Sequence, residues 1–346
     1  MLFLSILFLL LTACSKQEDD MEISEQREHP TADDYMKERN VENERSYTYP
    51  LTGERTHDEV KDRIVAVMVN NHEHARPQSG LSKADIVFEI LAEGDITRFL
   101  ALFQSDMPDV VGPVRSAREY YFKLAKKYDA LYVFHGAANF VSDMINQQDI
   151  DHLDGSVYDN DGYLFKRESF RESPHNSYLQ FDAVYKVAKD KGYYTTFDHN
   201  IDLPFTNDDI TGEDVSHVEI AYVGKNPSHV VEYIYDEEHN VYMRYEDDEQ
   251  TVDLETKEPL EMENVFIIET THEVIDREGR RQIDLDTYGR AYLLQRGKLQ
   301  EVEWQSIAGV IMPRKNGRAV GFVPGKTWIN VVPKDPGIEQ SVQIKK

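Results

Sequence analysis

Four stretches of this chain, residues 63–70, 85–92, 97–103 and 130–134, are apolar almost without interruption over the length of one strand. A strand with one wet face alternates, whereas an unbroken apolar run is covered on both faces. The runs at 63–70 and 130–134 therefore predict central strands, with material packed above and below them. With 346 residues the chain is long enough for two domains of ordinary size.

Glu93-Gly94-Asp95 stands between two of these runs and predicts a hairpin turn. A helix is expected from Pro113, because Val114, Ala117, Tyr121, Leu124 and Tyr128 recur at spacings of three and four. Further helices are expected at about 137–147 and 181–191. Strands alternating with helices argue for a mixed α/β sheet domain over residues 49–205. Residues 197–214, rich in Asp, Asn, Pro and Gly, mark the boundary. Beyond it His217-Val-Glu-Ile-Ala-Tyr222 alternates, 230–235 pairs naturally with 241–245, and short runs follow at 265–268, 290–294 and 328–332. The expected class is α+β, with a smaller, mostly antiparallel β domain over 206–346.

The N-terminus points to a compartment. Residues 1–11 are almost wholly apolar and run into Leu11-Thr12-Ala13-Cys14, which resembles a bacterial lipobox. Residues 1–14 are read as a lipoprotein signal peptide, with the Cys14 thiol taking the diacylglyceryl group and anchoring the chain in the membrane. The alternatives are an ordinary signal peptide or a buried helix, since a segment this short does not span a bilayer. No Lys or Arg precedes the run, which points to a start upstream of Met1. Cys14 is the sole cysteine, so lipidation leaves no thiol for disulfides, zinc or nucleophilic catalysis. Residues 15–48 are dense in Glu, Asp, Gln and Asn and read as a disordered tether with an end-to-end distance of roughly 30 Å.

Charge narrows the partner. The net charge of −26 argues against nucleic acid. Yet residues 61–135 carry ten Lys and Arg against ten Asp and Glu, so an anion-binding surface belongs there. Within the helix expected from Pro113, Arg115 and Arg118 fall where the macrodipole favours negative charge, at a cost of roughly 0.3–1 kcal/mol each if uncompensated. Either an anion sits among the exposed N–H groups and guanidinium forks, or the arginines pair with carboxylates elsewhere.

The candidate ligand-binding residues are accordingly Arg76, Glu93, Arg98, Arg115, Ser116, Arg118, His135, His175 and Asn176, with Arg167 or Arg171 beside them. Their plain alternative is satisfaction of Asp85, Asp129 or loop carbonyls. Catalysis would rest on His135 as general base, oriented by Glu93 or Asp129, but no serine elbow accompanies it. His72-Glu73-His74 lacks the helical spacing of a zinc motif, and residues 149–155 are one position off an EF-hand start. No metal and no cofactor is expected. Trp304 and Trp328 are either core or rim aromatics that stack on sugars or anchor a partner.

Taken jointly, Val69-Asn-Asn71, Ala75-Arg-Pro-Gln-Ser-Gly-Leu81, Ala84-Asp-Ile-Val-Phe-Glu89, Thr97-Arg-Phe99, residues 112–118 and Pro174-His-Asn176 resemble the DUF3048 family of YerB-type lipoproteins of Gram-positive bacteria. The resemblance runs from about Pro50 to Pro333. The family pattern tends to have two glycines where this chain has Gly94-Asp95. It implies an N-terminal and a C-terminal domain and a place at the outer face of the cytoplasmic membrane, and it carries no catalytic residues over. Three functions remain open: a non-catalytic binder of an anionic envelope ligand such as a peptidoglycan stem, a teichoic-acid phosphate or an acidic wall-enzyme segment; an envelope hydrolase using His135 and Glu93; and a scaffold that regulates a wall enzyme through the β domain.

Overall fold

The apolar runs become the centre of one large sheet. The computed structural model describes residues 46–197, 201–222 and 229–345. Cys14 and nearly all of the expected tether lie outside them. Tyr47–Thr48, at the tether's end, pairs antiparallel with Arg55–Thr56. Among the described residues no helix is long and apolar enough to cross a membrane.

The first half contributes β1 (Val65–Asn70), β2 (Ile86–Leu91), β3 (Thr97–Phe103), the short β4 (Val110–Val111), β5 (Leu131–Phe134), β6 (His152–Asp154), β7 (Phe165–Arg167) and β8 (Ser177–Gln180). The second half contributes β9 (His217–Ala221), β10 (Val230–Asp236), β11 (Val241–Glu246), β12 (Asn264–Thr270), β13 (Tyr288–Gln295), β14 (Lys298–Ile307), β15 (Val310–Lys315), β16 (Thr327–Pro333) and β17 (Val342–Lys345). The protein is mostly β, with several sheets. Its main sheet runs β15-β14-β13-β12-β16-β2-β3-β1-β5-β6. This differs from the expected succession of two self-contained sheets, because β16 lies parallel to β2, with Trp328 opposite Val87. Strands from both sides of residue 205 thus hydrogen-bond in one ladder.

Alternation along each central strand sends neighbours to opposite faces, and both faces are covered. Val65, Val67 and Val69 join a core with Val218, Ile220, Val231 and Tyr233 of the second sheet, β17-β9-β10-β11. Ala66 and Met68 point the other way, toward a core with Tyr121, Leu124, Val141 and Ile145 of the helices. Every residue of β1, β2 and β3 is buried for that reason. The hairpin at Glu93-Gly94-Asp95 forms as expected, with Leu91 opposite Thr97. So does the pairing of β10 with β11.

One expectation is corrected. The helix does not begin at Pro113 but at Glu119, as α1 (Glu119–Lys127). Residues 112–117 are instead held extended by the sheet. Pro113 O accepts from Asn70 N at 2.9 Å, Val114 N donates to Ser177 O at 2.7 Å, Arg115 N to Met68 O at 3.0 Å and Ala117 N to Gly136 O at 3.0 Å. These four bonds satisfy the backbone as well as a helical turn would, and they bury Val114 against the sheet. The helix then obeys its dipole, with Glu119 in the first turn and Lys126 and Lys127 in the last. Tyr120 and Tyr121 anchor it, their hydroxyls donating to Leu91 O and Ile90 O. The later helices are α2 (Asn139–Gln147) and α3 (Val184–Asp190). The tryptophans resolve toward core, since Trp304 and Trp328 are both buried.

A buried ionic cluster joins the halves. Arg244 of β11 is fully buried and donates to both oxygens of Glu89 on β2 at 3.1 Å and to Glu246 at 2.8 Å. Its guanidinium also stacks over Phe99 and Trp328, 5.3 and 5.0 Å from their ring centres. Burial pushes the Glu89 carboxyl up, and Arg244 opposes it. Removing the cation while keeping the carboxylates leaves uncompensated buried charge. Arg244→Ala is therefore expected to cost about 3–5 kcal/mol, read from denaturant unfolding. A loss under about 1 kcal/mol would show that water or relaxation replaces the guanidinium.

Candidate functional site

The site is built at one end of the sheet. Strands β1, β2 and β5 run in one direction, and their C-terminal ends feed Asn70, Glu93 and His135 to the same edge. In open sheets with parallel strands this is where ligands bind. Asn70 pairs with Arg98 across β1 and β3, and the extended segment 112–117 is laid over the end of β1. Of the expected arginines, Arg98, Arg115 and Arg118 lie about Glu93, whereas Arg76 and Arg171 pair away from it.

Glu93 is the hub of the first group. Its Oε2 accepts from Arg98 at 2.6 Å, and its Oε1 accepts from Arg118 Nε at 2.6 Å and from the Arg118 fork. Arg98 also donates to Ser116 O at 3.1 Å, and Arg118 to Ala117 O at 2.6 Å. Burial and the neighbouring Arg118 push the Arg98 guanidinium down to about 10. One carboxylate thus serves two cations. Among the ligand candidates, Ser116 offers its carbonyl to the scaffold.

Arg115 has no such partner. Among the described residues its guanidinium makes no hydrogen bond or ion pair within 4.0 Å, and its Nε is buried and unsatisfied. Burial lowers its pKa; Glu93 partly offsets this and Arg118 adds to it. Its charge reaches the imidazoles of His72, His135 and His175, each held below the usual histidine range chiefly by burial and further by cations that include Arg115. The electrostatic signature is an excess of positive charge with a desolvated, unused guanidinium.

The histidines are fixed by neighbours. His175 Nδ1 lies 2.8 Å from Asn70 Nδ2, and the His72 ring centre lies 4.7 Å from that of His175 with the two planes tilted by 37°. His135 Nδ1 lies 2.7 Å from Ser177 Oγ, and its Nε2 is 3.4 Å from an Arg167 nitrogen. Arg167 also pairs with Asp159 at 2.6 Å and donates to Asn176 Oδ1 at 2.8 Å. Asn176 is therefore a support of Arg167. Arg76 is placed elsewhere: it pairs with Glu246 and, at 2.8 Å, with Asp247, and donates to Asn71 O at 3.1 Å. Arg171 is consumed by Ala75 O, Pro77 O and Tyr178.

His72 and His74 were legible only as a failed zinc motif. Their side chains come together with Glu73 within 4.8 Å, as do His217, Glu219 and Glu232, and His229, Glu246 and Asp247. All three sets contain pairs: Glu73 with His74 at 3.6 Å, Glu219 with Lys345 at 2.8 Å, and Asp247 with Arg76 and His229. Residues 152–154, inside the acidic loop compared with an EF-hand, form β6 and pair parallel with β5.

The class defined by this geometry is a mostly β protein of two interleaved halves, with an arginine and histidine cluster at the carboxyl edge of its central strands. Residues 51–194 match the N-terminal domain, and residues 218–329 the C-terminal domain, of the protein of unknown function family DUF3048. The chain is 47% identical over 285 residues to "Putative lipoprotein YerB" of Bacillus subtilis (strain 168), spanning 82% of this chain and 86% of that one. The crystal structure of YerB protein from Bacillus subtilis superposes with a TM-score of 0.80 at 44% identity, covering 87% of this chain and all (100%) of that one. The chain belongs to the DUF3048 family.

The pairing pattern separates structural from free arginines. Glu93→Gln leaves Arg98 and Arg118 facing each other and is expected to cost about 3 kcal/mol in urea unfolding. Arg115→Ala is expected to change stability by no more than about 0.5 kcal/mol, or to raise it. Equal losses for the two variants would make Arg115 a structural residue.

Proposed function

We propose that this protein is a lipoprotein held at the outer face of the cytoplasmic membrane through Cys14, and that it binds an anionic cell-envelope ligand or wall-associated partner without turning it over. The observation that carries the binding is Arg115, a partly buried cation that makes no hydrogen bond or ion pair among the described residues, beside two more arginines that share one carboxylate. Burying an unpaired guanidinium costs free energy, and a ligand carboxylate or phosphate would recover that cost. The lipoprotein name of the Bacillus subtilis relative supports the anchor, as does the lipobox-like Leu11-Thr12-Ala13-Cys14.

Hydrolysis by His135 and Glu93 finds less support. Both Glu93 oxygens are held by guanidinium groups, and His135 bonds Ser177 with Arg167, not an acid, at its other nitrogen. A base needs an orienting acceptor and a free lone pair aimed at the reacting proton.

The full chain in detergent is expected to bind purified teichoic acid or peptidoglycan more tightly at low than at high salt, because the contact is ionic. Arg115→Ala should remove that binding while His135→Gln weakens it modestly. Binding unchanged by Arg115→Ala would sink the reading. Cys14→Ser is expected to abolish incorporation of radiolabelled palmitate and to release the protein from membranes.

A further inference from the structure

Residues His272–Val274 and Arg281–Ile283 form a two-stranded ribbon whose strands pair with each other and with no strand of the larger sheets among the described residues. Its tip closes on itself, with Ile275 N donating to Arg280 O at 2.8 Å and Arg280 paired to Asp276 at 2.7 Å. A lone ribbon of this kind is marginal in water and depends on what it docks against. It reaches the first half of the chain through Arg281, which donates to Gly94 O at 2.6 Å, and through the Arg280 guanidinium, 5.8 Å from the Phe140 ring centre. The docking carries a penalty. Both His272 ring nitrogens and Arg281 Nε are buried without a hydrogen-bond partner. Of the ribbon's aliphatic side chains, Ile283 enters the core, while Val274 and Ile275 stay 58% and 46% exposed. Each buried unpaired polar atom costs free energy that hydration on opening would relieve, which favours local opening here over opening of the sheets.

We propose that this ribbon is an acid-released strap: docked, it holds the Glu93-Gly94-Asp95 turn through Arg281 and Gly94, and it lifts away when the His272 ring takes up a proton. The turn carries Glu93, the carboxylate that Arg98 and Arg118 share, so a lifted strap loosens the hub of the arginine edge. A segment of the second half thereby controls a turn of the first. The strap goes beyond the binding reading and stands whether or not that edge holds an anion.

The docked ring has no place for a second proton. Among the described residues the charged group that acts on it is Arg281, on the paired strand, and that group is a cation. With no acceptor at either nitrogen, burial first and then Arg281 push the ring down to about 3. Lifting the ribbon hydrates the imidazole and restores the ordinary histidine value of 6.5. The lifted state therefore binds a proton that the docked state does not. Opening is favoured as pH falls below the ordinary value, by about tenfold per pH unit, and the gain levels off below the docked value.

Hydrogen exchange of the full chain in detergent, corrected for the intrinsic pH dependence of amide exchange, reads the opening directly. Protection of residues 272–283 should fall about a hundredfold from about pH 7.5 to about pH 4.5. Ile96 N, which donates to Glu93 O at 3.1 Å across the turn, should lose protection with it, while the amides of β1 keep theirs. His272→Leu, which removes both the titrating ring and its orphaned nitrogens, should hold the ribbon closed at both pH values. Equal protection of the native ribbon at the two pH values, a fall shared with β1, or a fall that persists in His272→Leu overturns the strap. A ribbon that opens while Ile96 stays protected overturns its hold on the turn. Should His272→Leu fail to fold, the His272 ring resonance of the native chain decides. Proton uptake that coincides with loss of ribbon protection supports the strap, and uptake near the ordinary histidine value with the ribbon still protected overturns it.

Discussion

The candidate site depends on a carboxylate buried in the middle of the sheet. Glu89 is fully buried, and besides Arg244 it receives Trp328 Nε1 at 2.9 Å and Thr97 Oγ1 at 3.0 Å. Its partner Arg244 reaches Glu246, and Glu246 in turn holds Asn71 at 2.9 Å and Arg76. Asn71 and Arg76 bracket the turn that carries His72 and His74. A chain of charge-assisted bonds thus runs from the middle of the sheet to the loop that shapes the histidine cluster. In a low-dielectric interior each such bond is strong, and each missing partner is costly. The loop is therefore pinned by the second half of the chain although it lies wholly in the first.

This arrangement accounts for the interleaving of the two family-defined segments. Residues 51–194 and 218–329 match separate family domains, yet β16 inserts beside β2 and β11 supplies Arg244. The first segment alone would expose the edge of β2 and leave Glu89 without its cation. Both consequences are unfavourable, by unpaired ladder groups and by buried charge. The arginine edge can carry an unbalanced guanidinium because the sheet beneath it is held on both faces.

Much of the fold was legible in the residues. Unbroken apolar runs announced strands with two dry faces, alternation announced the second sheet, and Glu93-Gly94-Asp95 announced the hairpin. The failure at Pro113 has a physical cause: a helical stripe from Val114 to Tyr128 is real only from Glu119 onward, and before it the same residues satisfy their backbone against β1 and β8. Periodicity records which side chains are buried and says nothing of whether a neighbouring strand offers better hydrogen bonds. Within the site, Arg98, Arg115, Arg118, Glu93, His135 and His175 do converge. Arg76 and Asn176 were taken by neighbours no local pattern reveals. The inward position of Arg244 was not readable, since it alternates with Tyr242 and Glu246 on the more polar face of its strand, and neither was its partner 155 residues away.

The sequence by itself determined the local facts: strand length and coverage, the turn, the charge balance of residues 61–135, the lipobox-like segment and the single cysteine. Those follow from composition and period, which act over a few residues. Tertiary structure alone decided which cations are spent. Arg98 and Arg118 share Glu93, Arg76 answers Glu246, Arg171 answers backbone carbonyls, and the Arg115 guanidinium makes no hydrogen bond or ion pair within the described chain. Neutralisation is a matter of ångströms between residues far apart in sequence, because Coulomb attraction and hydrogen bonding depend on distance and desolvation, which only the closed sheet sets.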